Sequence, residues 1–141
     1  MSEIITTYKL DDLDQPMPMD REEFYREQIE VYKETGKPTR AVAIVQILLF
    51  TPDKEIIVQK RSNTKKHNPG LIDKSIGGHI LFGDTANYTT TIETLQELTV
   101  PSIILSTEED FKKTFKLLKS FLNNLTVVQF IDSHTSNFAK V

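Results

Sequence analysis

The chain is 141 residues long, with 38% hydrophobic and 26% charged residues, which is ordinary for a soluble globular protein with one core. A formal net charge of −3 gives no electrostatic support to general nucleic-acid binding, and the absence of cysteine excludes disulfides, thiolate zinc sites and cysteine nucleophiles together. The polar, acidic N-terminus is unlike a signal peptide and the longest apolar run, 41–50, is about half of a membrane span, so a cytoplasmic protein with no membrane partner is expected.

Residues 1–19 read as an irregular lead-in, with acids at Asp11, Asp12 and Asp14 and prolines at Pro16 and Pro18. Asp20 then opens a helix, because Glu23 follows it in a capping-box arrangement that satisfies free backbone N–H groups. Tyr25, Ile29 and Tyr32 form the apolar stripe of this helix, and Gly36 with Pro38 ends it. Segment 1–38 is thus expected to pack, as lead-in and helix, on a domain spanning 39–141 within one overall unit. A homodimer contact is the alternative role for the helix.

The β-branched and aliphatic run 41–50, the turn 51–55 and a second strand at 56–60 predict a hairpin. A polar loop follows, with a basic cluster of Lys60, Arg61, Lys65, Lys66 and His67 at its start and middle. A short strand near Ser75 and Ile76 leads into a Gly77-Gly78 turn. The next helix is predicted over about 86–98, capped by Thr85 or Asp84, with Tyr88, Ile92 and Leu95 on its core side. After Pro101 come a short strand at 103–105, a helix marked by Phe111, Phe115, Leu118, Leu122 and Leu125, and a last strand at 126–131.

The chemistry concentrates on the helix over 86–98. Glu93 and Glu97 stand at i and i+4 and share one face, with Gln96 at its edge. Two carboxylates and an amide oxygen facing one way suit Mg²⁺, which takes oxygen ligands and often needs only one or two protein carboxylates beside substrate phosphates. The plain alternative is a solvated helix face.

Gly78, Asp84, the pair Ile92-Glu93, the pair Gln96-Glu97 and Val100 resemble the Nudix box of the Nudix hydrolases, G-x5-E-x7-R-E-U-x-E-E-x-G-U, with every spacing kept. The residue types depart from it: Asp for Glu at 84, Ile for Arg at 92, Thr for an aliphatic at 94, Gln for Glu at 96 and Thr for Gly at 99. At 99 a glycine would relax into the left-handed region after the helix, where a β-branched threonine is strained; Pro101 offers another way to end the helix.

The resemblance implies an α/β fold of Nudix-like α/β/α sandwich type with a mixed β-sheet. It further implies hydrolysis of a diphosphate linkage in a nucleoside diphosphate derivative, with Mg²⁺ or Mn²⁺ as cofactor and a small-molecule diphosphate as partner. Glu93 and Glu97 would hold the metal, with Gln96 and Asp84 assisting. Gly77 and Gly78 would shape the loop beside a phosphate, and Arg61 would contact the diphosphate through its planar fork. His79 matches the Gly-Gly-His of the branch related to isopentenyl-diphosphate isomerase, whose implied mechanism needs a cysteine that this chain lacks. Asp84, Glu108, Glu109 and Asp132 remain unranked as the general base. The worn box points to a weak enzyme; the alternative is a non-catalytic Nudix-like module that binds a nucleotide or a protein.

Overall fold

The computed structural model describes residues 2–51, 53–66 and 68–119, together with the backbone of 126–129. Along the chain come strands β1 (Ile4–Lys9) and β2 (Asp12–Asp20), helix α1 (Arg21–Thr35), and strands β3 (Arg40–Val42), β4 (Ile44–Ile47), β5 (Leu49–Phe50), β6 (Ile56–Ile57) and β7 (Gln59–Lys60). Strands β8 (Ile72–Asp73) and β9 (Ile76–His79) precede helix α2 (Ala86–Leu98), and strand β10 (Ser102–Leu105), helix α3 (Glu108–Leu118) and strand β11 (Thr126–Gln129) follow it. The class is α/β. Two compact units divide within α2, the first Met1–Glu93 and the second Thr94–Val141.

In the first unit the N-terminal segment is not an irregular lead-in. β1 forms an antiparallel hairpin with β2, from Ile4↔Asp20 to Lys9↔Asp12, and also pairs antiparallel with β3. The run Ile4-Ile5-Thr6-Thr7-Tyr8 is β-branched and aromatic, the composition that suits a half-buried pleated surface. Pro16 and Pro18 hide the second strand from a reading of the sequence, yet β2 is an edge strand, where a missing N–H costs no ladder bond. Ile5 and Thr7 are fully buried, and Ile5 joins Phe24, Ala41, Val45, Ile47 and Ile76 in the core.

β4 pairs antiparallel with β9, setting Val45 opposite Gly78 and Ile44 opposite His79. Gly77 and Gly78 therefore lie in a strand, not in a turn before the helix. Past β9 the backbone continues along β1: Thr6 N–H donates to Ile80 C=O at 2.9 Å and Phe82 N–H to Ile4 C=O at 3.0 Å. The predicted hairpin is present as β5 against β6, whereas β7 turns away to pair with β8. Ser75 ties these pieces together, accepting from Leu49 N–H at 2.8 Å and donating to Ile57 C=O.

Helix α1 begins and ends as expected. Asp20 accepts from Glu23 N–H at 3.0 Å, and Gly36, with φ 73°, donates its N–H to Tyr32 C=O at 2.8 Å. Its inward face differs from the predicted stripe. Phe24 is buried and Tyr25 half-buried, while Ile29 and Tyr32 are exposed. Gln28 takes an inward position because its Oε1 accepts the N–H groups of Thr39 and Arg40 at 2.9 and 3.0 Å, which a hydrocarbon could not do.

In the second unit β10 and β11 run parallel, Ser102 opposite Thr126, with α3 as the crossover that parallel strands require. Thr107 caps α3 by accepting from Asp110 N–H at 3.1 Å, and the rings of Phe111 and Phe115 stack at 6.0 Å. Leu122, Leu125 and the end of the last predicted strand at Ile131 lie outside the described residues. Among the described residues no helix is long and apolar enough to cross a membrane.

Candidate functional site

Helix α2 has the predicted bounds, and its cap is Thr85, whose Oγ1 accepts from Tyr88 N–H at 3.2 Å. Asp84 sits one residue earlier, exposed, in a turn closed by its own N–H on Leu81 C=O at 3.0 Å. Of Tyr88, Ile92 and Leu95, the predicted core side of α2, only Ile92 is half-buried. Tyr88 and Leu95 are about half exposed, at 54% and 48%, whereas Thr89, Thr90 and Thr94 are buried. Thr94 can occupy this face because its Oγ1 donates to Ser102 Oγ at 2.8 Å, whereas the buried Thr89 hydroxyl has no hydrogen-bond partner among the described residues. Glu93 flanks this stripe and is half-buried, and Gln96 and Glu97 are exposed.

The helix ends through Thr99 in the left-handed region, φ 58°, with its N–H on Leu95 C=O at 3.0 Å. Pro101 does not supply another exit. A β-branched side chain in this conformation carries strain of about 1–2 kcal/mol, which a glycine would not.

The two glycines of β9 are required by close approach, since neither has a positive φ. A Cβ built on Gly77 would stand 2.7 Å from the carbonyl oxygen of Val45 and 2.0 Å from Lys74 Cε. A Cβ on Gly78 would stand 1.9 Å from Glu93 Oε1 and 2.4 Å from its Cδ. The Glu93 carboxylate thus fills the space left by the missing side chain at 78. This contact gives a physical reason for a glycine and an acid at that separation in the sequence.

His79, at the end of β9, meets Tyr25 of α1. Tyr25 Oη and His79 Nε2 are 2.8 Å apart, and the rings meet edge to face with centroids at 5.9 Å. Burial lowers the imidazole below its ordinary pKa near 6.5, the charges of Arg21 and Lys74 add to this, and Glu3 opposes it. Burial likewise raises Tyr25, against the charges of Arg21 and Arg61.

Arg61 is engaged with an acid that the sequence reading did not pair with it. Its Nη1 lies 2.7 Å from Asp73 Oδ2, between strands β7 and β8, and Lys74 Nζ lies 3.6 Å from the other oxygen. Burial works to raise the Asp73 carboxyl, but the Arg61 hydrogen bond, the Lys74 N–H and both positive charges hold it below the usual carboxylate range. Elsewhere in the basic cluster Lys66 pairs with the exposed Glu22 at 3.5 Å, and His67 lies outside the described residues. Of the four base candidates, Glu108 and Glu109 pair with Lys112 and Lys113 on α3, and Asp132 lies outside the described residues.

The structure brings together Gly77, Gly78, His79 and Glu93, and adds Tyr25, Arg21, Asp73 and Lys74. None of these four carries a local signal, because their partners are distant in sequence; Tyr25 looked like part of an apolar stripe. Among the described residues no group of three or more His, Cys, Asp or Glu side chains gathers as a metal site. No family model, curated protein or solved structure matches the chain.

Proposed function

We propose that the protein is a weak Nudix-type hydrolase that cleaves a diphosphate linkage in a nucleoside diphosphate derivative with Mg²⁺ or Mn²⁺, on a Nudix-like α/β/α sandwich. The observation that carries this reading is the seat of Glu93 against Gly78, since it ties together the glycine and the acid on which the resemblance rests. Glu93 and Glu97, one turn apart on α2, are the residues that would hold the ion, with Gln96 adding a neutral oxygen. This donor set suits Mg²⁺, which commonly keeps waters and fills its shell with substrate phosphates rather than a dedicated protein cage. When bound, the ion would draw charge from the diphosphate oxygens while water attacks phosphorus.

The chain's own residues would bind and orient. Arg61 would meet a phosphate oxygen while Asp73 steadies its guanidinium, and His79 would offer a ring nitrogen to the same ligand. Asp84, exposed in the turn before α2, would act through water. Ile92 in place of arginine removes a charged hydrogen bond near the acids, worth roughly 1.5–3 kcal/mol, so slow turnover is expected. The acidic balance and lack of cysteine suit a cytoplasmic enzyme with no nucleic-acid partner.

A second reading, a non-catalytic nucleotide- or protein-binding module, is favoured by one observation. Arg61 already has Asp73 as a partner, which lowers its value as a phosphate clamp. Hydrolysis of a pooled panel of nucleoside diphosphate derivatives, with and without Mg²⁺, separates the two. Metal-dependent turnover that Glu97→Gln loses supports the hydrolase. No turnover above that control, with Mn²⁺ also tried, sinks it in favour of the module.

A further inference from the structure

The hydrogen bond between Tyr25 and His79 specifies more than a packing contact. Either atom of this 2.8 Å contact could donate, but a phenol O–H is a stronger donor than a neutral imidazole N–H and a bare imidazole nitrogen is a good acceptor, which favours Tyr25 as donor and His79 Nε2 as acceptor. A neutral imidazole carries one proton, and with Nε2 accepting that proton is on Nδ1. Among the described residues Nδ1 has no hydrogen-bond partner. Arg21 and Lys74 act on His79, and Arg61 acts on Tyr25. The facing acids are Glu3, whose field reaches His79, and Glu22, whose field reaches Tyr25. Arg21 adds a buried Nε–H with no partner among the described residues. Cations that disfavour a charged imidazole equally favour an anionic oxygen beside it.

We propose that Tyr25 is a positioning residue that fixes His79 as the Nδ1–H tautomer, so that a neutral imidazole donates one hydrogen bond to an anionic oxygen of the substrate's diphosphate. The ligand rests on the hydrolase reading above; the tautomer does not. No proton is transferred: the phenol keeps its hydrogen, and Nδ1 keeps its own while sharing it with the phosphate oxygen.

Long-range proton–nitrogen correlation spectra of the ¹⁵N-labelled full chain distinguish a protonated ring nitrogen from a bare one. The wild type at pH 7 is expected to show Nδ1–H at His79, and Tyr25→Phe, which removes a single oxygen, is expected to lose that preference. Inorganic diphosphate should shift the Nδ1 signal and bind about tenfold more weakly to Tyr25→Phe, the scale of one hydrogen bond. An asparagine amide reaches the Nδ1 position and a glutamine amide the Nε2 position. His79→Asn should therefore retain diphosphate binding that His79→Gln loses, a comparison that still decides if Tyr25→Phe fails to fold.

An Nε2–H tautomer in the wild type overturns the proposal, as does diphosphate binding that ignores Tyr25→Phe or survives better in His79→Gln than in His79→Asn. Turnover of the diphosphate panel is measured alongside. Wild-type turnover unchanged by Tyr25→Phe overturns the positioning role and leaves the hydrolase standing. Absence of wild-type turnover removes the hydrolase, and the response of His79 Nδ1 to inorganic diphosphate then decides this proposal alone.

Discussion

Around strand β9 the polar groups find partners far along the chain: Tyr25 reaches His79 across 54 positions, Arg61 reaches Asp73 across 12, and the Glu93 carboxylate rests on Gly78. Along α3 they find them one turn away, in the exposed i, i+4 pairs Lys112–Glu108 and Lys113–Glu109. The difference lies in water. Groups near β9 are half-buried, so each lost partner leaves a desolvated donor or acceptor, whereas the α3 pairs exchange one solvated state for another. The partnered polar groups that burial makes costly to disturb therefore gather at β9, and the charges of α3 form a solvated helix face.

Breaking the close approach at β9 should have the largest effect. Gly77→Ala drives a methyl into the Val45 carbonyl, which is backbone and cannot step aside, and should lower the unfolding free energy by about 1–3 kcal/mol in denaturant titrations. Gly78→Ala meets first the side-chain end of Glu93, so it should cost less stability while displacing that carboxylate; on the proposed hydrolase reading it should also abolish metal-dependent turnover. A variant with full turnover would detach Glu93 from the site. Next in size, Asp73→Asn weakens a half-buried ion pair with Arg61 and should cost about 1 kcal/mol, read by the same titrations.

Thr99→Gly sharpens the contrast from the other direction. It releases a left-handed threonine and should raise stability by about 1 kcal/mol, seen as a higher midpoint. His79 gives a smaller, pH-dependent effect. Its folded pKa lies below the unfolded value near 6.5, so the unfolded chain binds the extra proton first. Its stabilising share is thus complete above about pH 6.5 and is lost as pH falls through the folded value, and His79→Gln should flatten that acid limb in urea titrations. Last, Lys112→Ala on α3 should leave the unfolding midpoint where it was.

Local rules were enough for both caps of α1, for the bounds of α2, and for the hairpin of β5 and β6, because each depends on residues within a few positions: Asp20 with Glu23, Gly36, Thr85, and the turn at 51–55. The same rules misread the first strands, since Pro16 and Pro18 are breakers everywhere except on a sheet edge, and no local signal announces an edge. They also misjudged which sides of the helices face inward. Periodicity ranks side chains by hydrophobicity, but the burial of Thr94 and the inward position of Gln28 go with hydrogen-bond partners on other segments.

For the candidate site the division is similar. The spacing of Gly78, Glu93 and Glu97 was present in the sequence, as was the chemistry of those residue types. That Gly77 and Gly78 are demanded by close packing, that Arg61 belongs to Asp73, and that His79 belongs to Tyr25 came only with the tertiary structure. A residue's type and local periodicity are properties of a short segment, while partnership across 54 residues depends on where the backbone returns, which is set by the collective burial of the core around Ile5, Val45 and Ile76.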